Sequence, residues 1–239
     1  MGRAFEVRKH AMAKTAAAKT RVYAKYGKEI YMAAKGNPDA DINVDLRRII
    51  EKAKKDQVPN DIIKRAIDRA KGGTDDTYIE VRYEGFGPGD SLIIVECLTD
   101  NVNRSIAEVR NCFTKTNSKL GVSGSVSHMF NHQAVFAVRG INEEEALEII
   151  IENDLNVADI EADDEGVSIF AAAKDYNLVR SAILQKGNEI ELVTDEIMWV
   201  PMMEQTINDE ENEKMFQKLL DMLDELDDVK DVYHNIALL

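Results

Sequence analysis

The chain is 239 residues long, 44% hydrophobic and 31% charged, with a formal net charge of −14, a length that suits two or three domains with a sizeable core. No apolar run approaches the ~18 residues of a membrane-spanning helix, and the charged opening Met1–Lys9 lacks the apolar stretch of a secretory signal, so a cytoplasmic protein with no membrane contact is expected. Two cysteines, Cys97 and Cys112, make no disulfide framework and read as small buried hydrophobes in a reducing compartment.

Residues 1–72 read as helical throughout. The stretch from about Arg8 to Lys35 contains Ala, Lys, Tyr, Ile and Met and no Pro, and Gly36 can close it. Gly36-Asn37-Pro38-Asp39 is a turn. Asn43 predicts an N-cap for a second helix running to about Asp56, with Asp45 in its first turn facing the helix dipole. Pro59 stands where the first position of a third helix belongs, and Gly72-Gly73 ends that helix.

At Asp75-Asp76 the period changes from helical to alternating. Thr77–Tyr83 and Ser91–Leu98 predict two strands, with Gly85-Phe86-Gly87-Pro88-Gly89-Asp90 as the turn of a hairpin. Asp100 or Asn101 caps a helix from about Val102 to Thr116, and Gly124–Phe130 reads as a further strand. A strand at Ala134–Val138 and a helix at Glu143–Asn153 follow. Next come strands Val157–Ala162 and Val167–Ala172, a helix Lys174–Gln185 and a strand Glu191–Val200. This βαββαβ order is that of a ferredoxin-like module. A helix from about Asp209 to Leu226 and a strand Val229–Ile236 close the chain.

The ββαβ segment before the module and the αβ segment after it would complete a second α+β sheet. The expected fold class is therefore α+β: an N-terminal three-helix domain followed by two α+β domains, the ferredoxin-like one inserted into the other. The expected domains are residues 1–76, residues 77–130 with 204–239, and residues 131–203.

The net charge hides a division. Residues 1–72 hold 18 Lys and Arg against 9 Asp and Glu, a net of +9; residues 73–239 hold 12 against 35, a net of −23. Such asymmetry suits one part that meets a polyanion and another repelled by it. On the first helix Val22, Tyr26, Ile30 and Ala33 share one face, as a core stripe does. Lys14, Arg21, Lys25 and Lys28 share another, with Arg3, Arg8, Lys9 and Lys19 around or ahead of it. A solvated salt-bridged face would mix signs four residues apart; this ridge carries one sign, which fits a phosphate backbone. Tyr23 and Tyr31 could stack on unpaired bases, though Tyr at helical spacing more often belongs to a core. No Arg, Asn and Gln set that would read bases stands out.

Residues for catalysis do not assemble. His128 and His132 are four apart, a metal spacing only on a helix, and here they flank a join between strands. Gly85-x-Gly87-x-Gly89 lacks the Lys-Ser/Thr end and following helix of a phosphate-cradling loop. Neither a Gly-x-Ser-x-Gly elbow nor a supported Cys-His pair is present. The reading is a non-enzyme without cofactor or metal.

Several stretches together are more specific than any one. They are Tyr23-Ala24-Lys25-Tyr26-Gly27-Lys28-Glu29-Ile30-Tyr31, Val58-Pro59 leading to Ala70-Lys71-Gly72-Gly73, and Arg82-Tyr83-Glu84-Gly85-Phe86-Gly87-Pro88. Thr99-Asp100-Asn101-Val102-Asn103-Arg104 and Gly124-Ser125-Val126-Ser127 complete the set. In this order they resemble the YebC/PmpR family, and within it the YeeN-like branch. The resemblance implies an N-terminal helical domain with two α+β domains and no catalysis. It further implies either a DNA-binding transcriptional regulator or, as with the mitochondrial translational activator, a factor that acts on ribosomes and eases difficult peptide synthesis. At the start Arg3-Ala4-Phe5 replaces the family's usual Trp, and Glu6 adds a negative charge.

The expected function is a monomeric, nucleic-acid-binding regulator of gene expression, contacting DNA or ribosomal RNA phosphates through Lys14, Arg21, Lys25 and Lys28, then Arg3, Arg8, Lys9 and Lys19. The alternative is a protein-interaction scaffold, in which the basic segment is an internal docking surface for the acidic tail.

Overall fold

A computed structural model describes residues 16–72, 77–187 and 190–237. Three helices come first: α1 (Ala16–Gly36), α2 (Val44–Lys55) and α3 (Asn60–Lys71). The expected start of α1 near Arg8 lies outside the described residues. The chain continues through β1 (Ile79–Phe86), β2 (Leu92–Thr99), α4 (Val102–Lys115), β3 (Lys119–Leu120) and β4 (Phe130–Arg139). Then follow α5 (Glu143–Glu152), β5 (Val157–Asp163), β6 (Gly166–Ala172), α6 (Tyr176–Gln185), β7 (Glu191–Pro201), α7 (Glu210–Asp224) and β8 (Val229–His234).

Local chemistry sets the helix ends. The Asn43 side-chain oxygen accepts from the Leu46 N–H at 3.0 Å, and its amide donates to the carbonyls of Ala33 and Asn37 at 2.8 and 2.7 Å. One residue thus caps α2 and ties it to the end of α1. Pro59, expected at the first helical position, stands one place earlier as the N-cap of α3. Tyr26, Ile30 and Ala34 pack against Leu46, Ala53, Val58, Ile63 and Ala66, with Val22 and Ala33 partly buried beside them. Ile30 and Leu46 are both fully buried, and each contributes about 1.5–3 kcal/mol by leaving water.

Two antiparallel sheets follow, ordered β3-β1-β2-β8 and β5-β6-β4-β7. The second is the ferredoxin-like arrangement. Ala134, Phe136 and Val138 of β4 alternate toward the helices, as do Val167, Ile169 and Ala171 of β6, and Ile149 of α5 and Val179 and Ile183 of α6 meet them. In the first sheet the final strand β8 returns to pair with β2, so the module is an insertion. The chain falls into two units, one holding His128–Glu204 and the other Thr15–Ser127 with Gln205–Ile236.

One expected strand is absent. Gly124–Phe130 alternates in sequence, but residues 124–129 form a loop and a short 3-10 turn, Ser127–Met129, and only Phe130 is strand, as the first residue of β4. The amides of Gly124, Val126 and Ser127 donate instead to the Glu84 carboxylate at 3.0, 2.7 and 2.9 Å. Glu84 is buried on β1. Burial alone would raise its pKa, yet the backbone hydrogen bonds outweigh burial and hold it below the ordinary value. The hairpin also differs from expectation. β1 runs on through Gly85 to Phe86, paired with β2 and β3, and the position takes Gly because a Cβ there would stand 2.3 Å from the Phe113 ring of α4. The turn is Gly87–Ser91, with Gly89 at φ +65.

Candidate nucleic-acid interface

The described part of α1 has one inward face and one that turns toward β8. Tyr31, considered above for base stacking, is 1% exposed and meets Tyr78 edge-on at 5.9 Å, with the Arg69 guanidinium 5.3 Å from its ring centre. It belongs to the core. Tyr23 is partly buried against the helical core.

The cations occupy different environments. Arg3, Arg8, Lys9 and Lys14 lie outside the described residues. Lys19 is exposed. Arg21 is half-buried and donates from Nη1 to the carbonyl of Asp224 at 3.5 Å. Lys25 pairs with Asp231 at 2.8 Å and also donates to the Lys230 carbonyl. Lys28 pairs with Asp228 at 2.8 Å and donates to the carbonyls of Asp227 at 2.8 Å and Leu98 at 3.4 Å. Two of the four ridge cations therefore have carboxylate partners in the loop before β8 and in β8 itself, about two hundred residues along the chain.

Asp228 is the hub of this junction. Its side chain is 4% exposed. One oxygen takes the Lys28 ammonium, while the other accepts from Thr99 Oγ1 at 2.8 Å and from Arg104 Nη2 and Nε at 2.6 and 3.2 Å. Burial alone would raise its pKa, but the hydrogen bonds from Lys28, Arg104 and Thr99 outweigh it and hold the carboxyl below the ordinary value. Asp231 is likewise lowered, burial being outweighed by the charges of Lys25 and Lys230. Glu29, beside them on α1, is raised by its burial despite Lys25. Arg104 and Lys28 come from two of the sequence stretches that resemble the YebC/PmpR family, and Asp228 is where those stretches meet.

Further cations stand on α2 and α3. Arg47 and Lys54 are exposed on α2, seven residues apart and so on one face. On α3, Arg65 is ion-paired with Asp61, and Lys71 lies 3.7 Å from Asp68. α2 holds five Lys and Arg against two acids, a count readable from sequence that marks Arg47 and Lys54, which the emphasis on α1 missed. His128 sits in the 3-10 turn, and His132 on β4 stacks on Trp199 with ring centres 4.6 Å apart. Among the described residues no group of three or more His, Cys, Asp or Glu could hold a metal, and no helix is long and apolar enough to cross a membrane.

Comparison with known proteins adds the lineage. A model described as "TACO1/YebC protein N-terminal domain" matches residues 3–73, and one described as "TACO1/YebC second and third domain" matches residues 78–236. A "probable transcriptional regulatory protein" of Alteromonas mediterranea is 56% identical over 236 residues, covering 98% of both chains. One of Acholeplasma laidlawii is 55% identical, covering 99% of this chain and 98% of its own. One of Vibrio parahaemolyticus is 50% identical over the whole of both chains. The crystal structure of a conserved hypothetical protein from Aquifex aeolicus is similar at a TM-score of 0.79 and 35% identity, covering 94% of this chain and 93% of that one.

Proposed function

This chain belongs to the TACO1/YebC family, and from that premise we propose that it is a non-enzymatic regulator of gene expression that binds DNA through its basic helical domain, residues 1–76. The observation that carries the reading is the division of charge, +9 over residues 1–72 against −23 over the remainder. A phosphate backbone attracts the first part and repels the second. The name shared by the relatives, probable transcriptional regulatory protein, supports a regulatory role. Lys19 and Arg21 on α1 contact phosphates, with Arg3, Arg8, Lys9 and Lys14 ahead of them and Arg47 and Lys54 on α2. Lys25 and Lys28 hold α1 to the β8 side of the sheet, and a phosphate gains them only by displacing Asp231 and Asp228. The two acidic domains, residues 77–130 with 204–239 and residues 131–203, stay clear of the backbone. The protein works as a cytoplasmic monomer.

A second reading, a translation factor on ribosomal RNA, is favoured by one observation: the cations suit phosphates, and no set of Arg, Asn and Gln is grouped to read base edges. A DNA gel shift beside ribosome co-sedimentation, at the same physiological salt, separates the two. The DNA reading expects a complex that discriminates sequences and is lost when Lys19, Arg21, Arg47 and Lys54 are all changed to Glu. Ribosome association lost in that variant, with weak and sequence-blind DNA binding, establishes the second reading instead. Binding of neither, or binding unchanged by the variant, overturns the basic-domain assignment.

A further inference from the structure

The helical face of the ferredoxin-like module holds a surface that the basic domain's role does not use. α5 packs on its sheet through Ala146, Ile149 and Ile150. Ile151 is nevertheless 76% exposed and Leu147 42% exposed. They are four residues apart, so they stand together on a side of α5 turned away from the core. α6, which packs beside α5, leaves Leu178 57% and Leu184 43% exposed. A single exposed aliphatic side chain is ordinary. Leu178 and Leu184 are six residues apart and so stand on different sides of α6, whereas Leu147 and Ile151 form one apolar patch on α5, which suggests a contact surface there.

The charge on α5 itself has one sign. α5 carries five Glu and no Lys or Arg. Glu148 meets Lys186 of the α6 end at 3.5 Å, and Glu144 and Glu152 are exposed with it along one flank of the apolar pair. At the start of α5 a cleft of about 440 Å³ opens between the helix and the β5–β6 hairpin, lined by Glu143, Asp163, Asp164 and Glu165 among others. Residues 131–203 as a whole hold 4 Lys and Arg against 16 Asp and Glu. Such a face repels nucleic acid, anionic lipid and the same face of a second copy.

We propose that this face docks a cationic amphipathic helix of a partner protein. The partner's apolar side lies on Leu147 and Ile151, and its Lys or Arg side chains lie against Glu144, Glu148 and Glu152. This is the helix-in-groove mode of recognition, in which apolar residues anchor and flanking charges orient.

The test uses the full chain and two labelled peptides of Lys and Leu of identical composition, one arranged to form an apolar helical face and one scrambled so that it cannot. Fluorescence anisotropy at physiological salt gives both affinities. The expected result is binding of the amphipathic peptide about tenfold more tightly than the scrambled one, the effect of burying one or two aliphatic side chains. The double variant Leu147→Ser, Ile151→Ser binds the two peptides alike. The double variant Glu148→Gln, Glu152→Gln weakens both. Ile151→Lys, at the most exposed position, is a second variant that abolishes the preference without disturbing the core. Equal binding of the two peptides by the unmodified chain overturns the proposal, as does a preference that survives Ile151→Lys. Self-association in sedimentation that Ile151→Lys removes makes a second copy the occupant and overturns it too.

Discussion

Changing Asp228 to Asn perturbs the junction between α1 and the first sheet with almost no change in volume. The carboxylate is 4% exposed and accepts from Lys28, Thr99 and Arg104. Asn removes the charge and turns an NH₂ group toward donors it cannot satisfy. Removing one member of a buried ion pair costs about 3–5 kcal/mol. Here Lys28 and Arg104 are 17% and 44% exposed and recover part of their hydration, which places the expected loss nearer 2–3 kcal/mol. The pH dependence follows from the lowered pKa of Asp228. A carboxyl lowered on folding stabilises the native state fully above its unfolded value of about 4, and that contribution fades as pH falls through the folded value. Urea unfolding followed by far-ultraviolet circular dichroism, at neutral pH and at a series of acidic values, measures both effects. The gap between the unmodified chain and Asp228→Asn is expected to be widest at neutral pH and to close in acid. Equal midpoints at neutral pH, or a gap that persists in acid, would refute the reasoning.

Three further outcomes are expected. Glu84→Gln removes the charge that gathers the amides of Gly124, Val126 and Ser127; it should cost about 1–3 kcal/mol, and hydrogen exchange at those loop amides should quicken well beyond that of the β1 amides. Gly85→Ala sets a Cβ 2.3 Å from Phe113 Cε1 and 2.9 Å from the Lys119 carbonyl, an overpacking worth about 1–3 kcal/mol. Adding Phe113→Leu should recover part of that loss in the same unfolding assay. The Cys97 thiol is pushed up to about 11 by burial, and Cys112 is raised by burial as well. A thiol reagent at neutral pH should therefore react with neither in the native chain and with both after unfolding.

What the sequence made legible was local. The 3.6-residue spacing of Val22, Tyr26 and Ile30 located the inner face of α1, Asn43 announced the start of α2, and the βαββαβ order identified the ferredoxin-like module. What it hid was non-local. Gly124–Phe130 alternates like a strand, but Glu84, forty residues earlier, takes amides that a ladder would have used. Lys25 and Lys28 fall on a cationic ridge when α1 is considered alone, with Glu29 the one acid beside them. Their partners Asp231 and Asp228 are more than two hundred and exactly two hundred positions away respectively, and only the return of β8 to the first sheet brings them near. The idea of an internal docking surface for the acidic tail anticipated this contact in kind, without the residues.

The division of charge makes its most direct claim about phosphates, and the salt dependence of DNA binding measures it. The affinity of the full chain for a duplex fragment, followed over a range of salt concentrations, should fall linearly on logarithmic axes with a slope of about −0.9 per phosphate neutralised. Replacing Lys19, Arg21, Arg47 or Lys54 by Ala should make that slope shallower by about one for each cation removed. A chain that fails to bind at physiological salt, or a slope indifferent to all four replacements, would contradict the account.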